Sequence, residues 1–230
     1  MFPNIEERPS DSRFVERIWM TENERANSFT SISTVLWSMV ISKWRGRITI
    51  SLHGPETSAR CKEFPAEGEW LGIAFKLGTF VPEILPGSLI DGNIFLPATS
   101  GRAFSLCNST WQFPNFENAD TFVDQLVRAG ILVHEPITNL VHQGQSHALS
   151  LRTVQYRFLR STGLSQRTIR QIERARHAAA LLKQGVSILD TVYETGYSDQ
   201  PHLTRALKHF IGHTPAEIPS TPIIALHPVT

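Results

Sequence analysis

Residues 196–215 read GYSDQPHLTRALKHFIGHTP. A glycine, a polar cap, a proline and an apolar ladder are followed by a second glycine and proline, so both ends of a short helix are set by the sequence. Asp199 predicts the N-cap, and Pro201 then falls in the first turn, where its missing N–H costs nothing. Leu203, Leu207 and Phe210 recur at i, i+4 and i+7, which makes one buried stripe. Just upstream, SILDTVYETG (187–196) predicts another short helix. Ser187 and Asp190 have capping-box spacing, with Asp in place of the usual Glu. Ile188, Leu189 and Val192 are expected to face inward, and Gly196 to make the turn. Only Tyr197 to Asp199 separate that glycine from the second helix, the spacing of a tight helix–turn–helix.

The helical period extends upstream to Ser150. In LSLRTVQYRFLRSTG (149–163), Ser150 is the expected cap and Gly163 the stop, with Leu151, Val154 and Phe158 as the buried stripe. Arg152, Gln155, Tyr156 and Arg160 point elsewhere. LSQRTIRQIERARHAAALLKQG follows, capped by Ser165 and buried through Ile169, Ile172, Ala175, Ala179 and Leu182. Its alanines favour helix and close approach, and Lys183 and Gly185 suit a C-terminus. At about 17 residues this helix spans roughly 25 Å, enough to hold two flanking units at a fixed separation.

Charge follows the same division. The net charge is +1, but residues 1–149 carry 12 Lys/Arg against 16 Asp/Glu, whereas residues 150–230 carry 10 against 5. A basic module beside an acidic one points to a polyanion as the partner of the helical half. The N-terminal residues of the second helix of such a motif reach base edges in the major groove. Gln200 offers an amide suited to adenine, and Arg205 a fork suited to guanine O6 and N7. His202 and Thr204 can donate to bases or phosphates, and Lys208 suits a phosphate. On the earlier helix, Arg152 and Gln155 fill the base-reading roles, with Arg160, Arg167 and Arg170 as phosphate contacts. The competing account is a two-helix corner in an ordinary all-α domain; a second helix with Arg and Gln on its free face argues against it.

The first half has a different period. RITISLH (47–53) alternates Ile48, Ile50 and Leu52 against Arg47, Thr49, Ser51 and His53, and LGIAFKL (71–77) alternates likewise. Both predict half-buried strands. TVLWSMVIS (34–42) predicts a strand joined to the next by a turn at WRGR (44–47), and FVERIWM (14–20) another. FVPEIL (80–85) predicts a short helix. NADTFVDQLVRAG (118–130) predicts a better one, with Asp120 as cap, Phe122, Val123, Leu126 and Val127 as stripe, and Gly130 as stop. Together these give a small antiparallel barrel or sandwich. Trp37, Trp44, Trp70 and Phe75 are candidates for a small-ligand pocket, although aromatic residues in a β-domain are more often core.

Other classes find less support. No apolar run approaches the length of a membrane span, and MFPNIEERPSDSR lacks a signal-peptide pattern. Cys61 and Cys107 have neither disulfide-framework nor metal-ligand spacing, which favours a reducing, cytoplasmic setting. His134, His142 and His147 match no helical metal pair. GxSxG, Walker, GxGxxG and HExxH motifs are absent, so neither a catalytic residue nor a cofactor is expected. The alternatives carried forward are a cupin-like enzyme and a protein-interaction module, each with the helices as an appendage.

At GYSDQPHLTRALKHFIGHTPAEI the sequence resembles the AraC/XylS family of bacterial transcription regulators. The residues that carry the resemblance are Gly196-Tyr197, Asp199, Leu203–Lys208 and Gly212-His213-Thr214-Pro215. TVQYRFLRSTGLS resembles the family's first recognition helix, and 166–183 its connecting helix. The resemblance implies an α+β protein: a β-rich, barrel-like sensor or dimerisation domain (1–115), a helical linker (116–134), a DNA-binding domain with two helix–turn–helix units (135–218) and an irregular tail (219–230). It implies recognition helices at about 150–160 and 200–210 entering successive major grooves of double-stranded DNA. It further implies RNA polymerase as partner of an activator, a small-molecule effector and a homodimer. Two departures stand out: the first unit's turn, GQSHALS (144–150), is longer than the family's, and Tyr156 stands where Arg is frequent. Val192 also replaces a usual alanine.

Overall fold

The computed structural model describes residues 4–84, 86–136, 138 and 150–220. Among these, the chain forms thirteen strands: β1 (Asn4–Arg8), β2 (Val15–Asn23), β3 (Asn27–Ser31), β4 (Ser38–Trp44), β5 (Arg47–His53), β6 (Arg60–Phe64), β7 (Gly68–Phe75), β8 (Thr79–Phe80), β9 (Asn93–Leu96), β10 (Ala98–Ser100), β11 (Ala103–Leu106), β12 (Ser109–Gln112) and β13 (Val133–His134). The α-helices are α1 (Ala119–Arg128), α2 (Leu151–Thr162), α3 (Gln166–Lys183), α4 (Ile188–Thr195) and α5 (Gln200–Phe210). The architecture is α+β, with the strands first and the helical region last.

The main sheet is antiparallel, in the order β1-β2-β7-β4-β5-β9. WRGR makes the expected hairpin, Trp44 pairing with Arg47 across Arg45 and Gly46, both at positive φ (49° and 72°). That is the backbone a two-residue hairpin turn matching strand twist requires. One face of the sheet carries Ile18, Met39, Ile41, Ile50, Leu52, Leu71, Ile73 and Phe75 into the main core. Helix α1 closes that core with Phe122, Val123 and Leu126, and the β10-β11-β12 meander adds Phe104 and Leu106.

The other face corrects the expectation of half-buried strands. The two-stranded β3-β6 ribbon packs over it, Phe29 meeting Trp19, Trp70 and Val40. Ser38 and Ser51, polar residues in the alternation, are therefore buried. Gly72 is a packing requirement here, because the Trp19 ring lies where a Cβ would stand.

Four further expectations change. The strand assigned to 34–42 starts only at Ser38; Thr34 bridges to Glu56, and Val35 and Leu36 leave the sheet to pack against helices. The helix expected over 80–85 does not form at the described residues 80–84: Thr79–Phe80 pairs with Val133–His134, and a 3-10 turn follows at Pro86–Leu89. The cap of α1 is Asn118, while the Asp120 carboxylate is engaged by Arg8 at 2.6 Å and by Ser10. Of the four pocket aromatics, Trp37 and Phe75 are core and Trp44 sits at the hairpin tip under Arg45.

Candidate nucleic-acid interface

Helix α3 is the spine of the helical region. Its first half buries Ile169 and Ile172 with Phe158 of α2 and with Leu164. Its second half buries Ala175, Ala178, Ala179 and Leu182 with Tyr197, Leu203, Leu207 and Ile211. The small alanines allow α5 to approach closely, as the sequence pattern anticipated. Arg176 also turns inward; burial first, then the charge of Arg17, pushes its pKa down to about 10. It is therefore not one of the surface cations.

The helix starts are fixed by side-chain caps. Ser150 accepts from the Thr153 N–H at 3.2 Å, Ser165 from Thr168 at 3.1 Å, and Ser187 from Asp190 at 3.1 Å. Ser187 also donates to the Asp190 carboxylate at 2.6 Å. Asp199 accepts from the His202 N–H at 2.7 Å, with Pro201 in the first turn. That hydrogen bond holds the Asp199 carboxyl below the usual carboxylate range. Between α4 and α5, Gly196 takes φ 69°, and Arg174 braces the turn with its guanidinium 4.2 Å from the centre of the Tyr197 ring.

These supports leave a defined outer surface. On α5, Gln200, Arg205 and Lys208 are exposed, whereas His202 and Thr204 are half-buried. His202 is further tied to Ser198 through Nδ1 at 3.1 Å and packs edge-on to Tyr197. On α2, Arg152, Gln155, Tyr156 and Arg160 are all exposed, as are Arg167 and Arg170 of α3. Two residues assigned to inward stripes are not inward: Leu151 is 81% exposed and Leu189 71%. Each lies in the first turn of its helix, where no preceding turn of that helix covers it. Tyr193, one turn beyond Leu189, is also exposed, so the helical surface holds another exposed aromatic beside Tyr156.

Sequence reasoning missed how the β-half holds this surface. The loop between β3 and β4 enters the helical region, where Ile32 joins the core of the second unit and Val35 and Leu36 that of the first. The Ser33 N–H donates to the Phe210 carbonyl at 2.8 Å, and the Ala59 N–H to the His209 carbonyl at 2.8 Å. Two carbonyls at the end of α5 thus find partners outside the helix. Gly212 has φ 85°, and a Cβ there would stand 2.6 Å from Thr30 Cγ2 and 3.2 Å from Ala59 Cβ. Arg157, also unassigned in the sequence, pairs both its Nε (2.9 Å) and Nη2 (2.7 Å) with the Glu135 carboxylate and anchors α2 to the segment after β13. The sequence pattern places Val35 and Leu36 in a strand, and nothing in the residue order marks Ile32, Val35 and Leu36 as a contact with the helices.

A second concavity lies under the β3-β6 ribbon, a cavity of about 270 Å³ lined in part by Trp19, Ser38, Ser51, His53, Glu56, Lys62 and Trp70. Of the sequence-chosen aromatics, only Trp70 reaches it. Ser31 donates to Glu56 at 2.9 Å, and Lys62 pairs with the same carboxylate. Burial first, then the charge of Lys62, pushes the His53 pKa down to about 4, so the ring is neutral near pH 7. Among the described residues, no group of three or more His, Cys, Asp or Glu is placed to hold a metal ion, and no helix is long and apolar enough to cross a membrane. His134 bonds through Nδ1 to Thr79 at 3.0 Å. His142, His147, most of the leading helix near 136–143, most of the long turn at 144–150 and the tail from 221 lie outside the described residues.

A capped pair of short helices around a four-residue turn (Gly196–Asp199), mounted on a helix shared with a second exposed basic helix, defines a DNA-binding helix–turn–helix module. Residues 145–219 match the family model described as "Helix-turn-helix domain". That match covers roughly a third of the 230 residues; it makes this part of the chain a helix-turn-helix domain of the AraC type and supports DNA binding and transcription regulation as its role. No curated protein and no solved structure matches the chain.

Proposed function

We propose that the chain is a sequence-specific regulator that reads two successive major grooves of double-stranded DNA with its helices at about 150–160 and 200–210. One observation carries this reading: Gln200 and Arg205 are exposed near the start of a helix whose N-terminus is capped and whose C-terminus is held by the β-half. Arg152, Gln155, Gln200, His202, Thr204 and Arg205 supply base discrimination, with Tyr156 beside them. Arg160, Arg167, Arg170 and Lys208 supply phosphate contacts and hence salt dependence. In functional terms the chain divides into a β-rich sensor or dimerisation domain (1–115), a linker (116–134), the DNA-binding domain (135–218) and a tail (219–230). The protein acts in the cytoplasm without catalysis, and RNA polymerase is its partner if it activates.

The same reading gives the cavity under the β3-β6 ribbon to a small effector. Its wall is continuous with the junction: β3 runs directly into Ile32–Leu36, and β6 starts next to Ala59. A molecule that shifts the ribbon shifts the support of both helical units.

Selection of preferred sites from random duplexes tests the DNA reading. A long site with two separated conserved blocks is expected. Arg205→Ala should weaken binding to that site by roughly tenfold to a hundredfold, the 1–3 kcal/mol of a bidentate base contact, while leaving random-sequence binding little changed. Equal losses on both would reduce Arg205 to a phosphate contact.

A further inference from the structure

The two reading helices expose different chemistry. Among the large hydrophobic residues exposed to solvent, Leu151 (81%), Tyr156 (63%) and Leu159 (52%) all lie on α2, and none lies on α5. Successive residues turn by about 100° around a helix. Leu159 therefore projects between Gln155 and Arg152, with Tyr156 flanking Arg152 on the other side, at the middle of the face opposite Val154 and Phe158. Neither capping nor the buried stripe explains apolar side chains there.

What covers that face is constrained by charge. Helix α2, LRTVQYRFLRST, contains three arginines and no acidic residue. Arg157 is bound to Glu135, while Arg152 stands at the surface between Leu159 and Tyr156 and Arg160 beyond Tyr156. An occupant must therefore be a polyanion that also presents apolar groups at its reading surface. Duplex DNA meets both conditions in the major groove, where the apolar group it displays is the C5-methyl of thymine.

We propose that α2 reads thymine methyl groups by apolar contact through Leu159 and Tyr156, whereas α5 reads its half-site by hydrogen bonds. The proposal rests on the DNA-binding reading above and adds the base identity of one half-site. The half-site under α2 is thymine-rich, with Gln155 left to pair with the adenines of the opposite strand.

Deoxyuridine provides the test, because it lacks only the methyl group and keeps the hydrogen-bonding edge of thymine. The selected duplex is rebuilt with deoxyuridine in one conserved block at a time, and affinity is measured by fluorescence anisotropy on the full chain. Repeating the selection with Arg205→Ala, which relaxes only the α5 block, assigns the two blocks. Each methyl removed under α2 should weaken binding about three- to fivefold, the scale of one buried methylene group; removal under α5 should change affinity less than twofold. Leu159→Ala should shrink the difference between the thymine and deoxyuridine duplexes, and Leu159→Ala combined with Tyr156→Ala should abolish it. Indifference of the parent chain to deoxyuridine in the α2 block, or a block without thymine, overturns the proposal and leaves DNA binding standing. Failure to select any site overturns the underlying reading as well.

Discussion

The two reading helices are built alike and finished differently. Both start at an oxygen-bearing cap, Ser150 and Asp199, and both lean on α3 through a short apolar stripe. Yet α2 shows leucines and a tyrosine between its arginines, while α5 shows an amide, a guanidinium and an ammonium. Their supports differ too. The end of α5 is held by backbone hydrogen bonds from the β-half, and α2 by the Arg157–Glu135 pair and by packing against Thr79–Phe80 and Pro86–Leu89. Buried stripes decide that a helix exists and where it docks; exposed faces, free of that duty, can diverge in what they recognise.

The strongest challenge to the independence of the two units is Phe158→Ala. Phe158 is 2% exposed in the core of the first unit. Its truncation should cost about 3–5 kcal/mol in urea denaturation and erase the α2 block in site selection while the α5 block persists. Simultaneous loss of both blocks would mean that α3 transmits the damage and the units act as one.

Acid separates the two halves of the molecule. The unfolded chain protonates its His53 near pH 6.5, but the folded one only at about 4. The native state thus binds fewer protons in that window, so stability is full above about pH 6.5, falls as pH is lowered, and levels off below about 4. The loss is at most about 3 kcal/mol, and His53→Gln should flatten it. The cap Asp199, and Glu217, whose carboxylate accepts from the Thr214 N–H at 2.7 Å and hydroxyl at 2.8 Å, have depressed carboxyl pKa values. Their contribution is present above the ordinary carboxylate pKa and is lost only as pH falls through the lower folded value. Unfolding followed at tryptophan, all five of which lie before residue 112, should therefore respond at milder acidity than helix loss followed by circular dichroism. Coincident responses would show that the junction makes the halves cooperative.

Gly212→Ala probes that junction. The residue has positive φ and faces Thr30 and Ala59 of the β-half. A loss of about 1–2 kcal/mol follows from the backbone alone, and the crowding of Thr30 adds to it. An unchanged midpoint would show that the junction yields freely. The smallest effect expected is that of Ser150→Ala, about 1 kcal/mol from removing a cap. It should loosen selectivity in the α2 block without touching the α5 block; equal loosening would break the comparison.

Much of this was legible in residue order. The spacing of Leu203 and Leu207, the caps at Ser150, Ser165, Ser187 and Asp199, and the alternation in RITISLH are local signals. A local signal survives because one helix turn or one strand pleat sets which side chains share a face. Leu151 and Leu189 were misplaced because the same spacing rule is blind at a first turn, where the covering surface must come from elsewhere in the chain. Asn118, not Asp120, stands at the N-cap position, without a side-chain capping hydrogen bond, and the Asp120 carboxylate is engaged by Arg8, more than a hundred residues away in sequence.

The sequence by itself determined the helices of the second unit, their ends, and which polar groups their outer faces carry, since those follow from backbone geometry repeated every few residues. Tertiary structure alone decided that Ile32, Val35 and Leu36 wedge the β-half between the two units, that a ribbon roofs the polar face of the sheet, and that an apolar patch lies among the arginines of α2. Each depends on surfaces far apart in the chain excluding water together, and burial of that kind leaves no periodic trace in either partner.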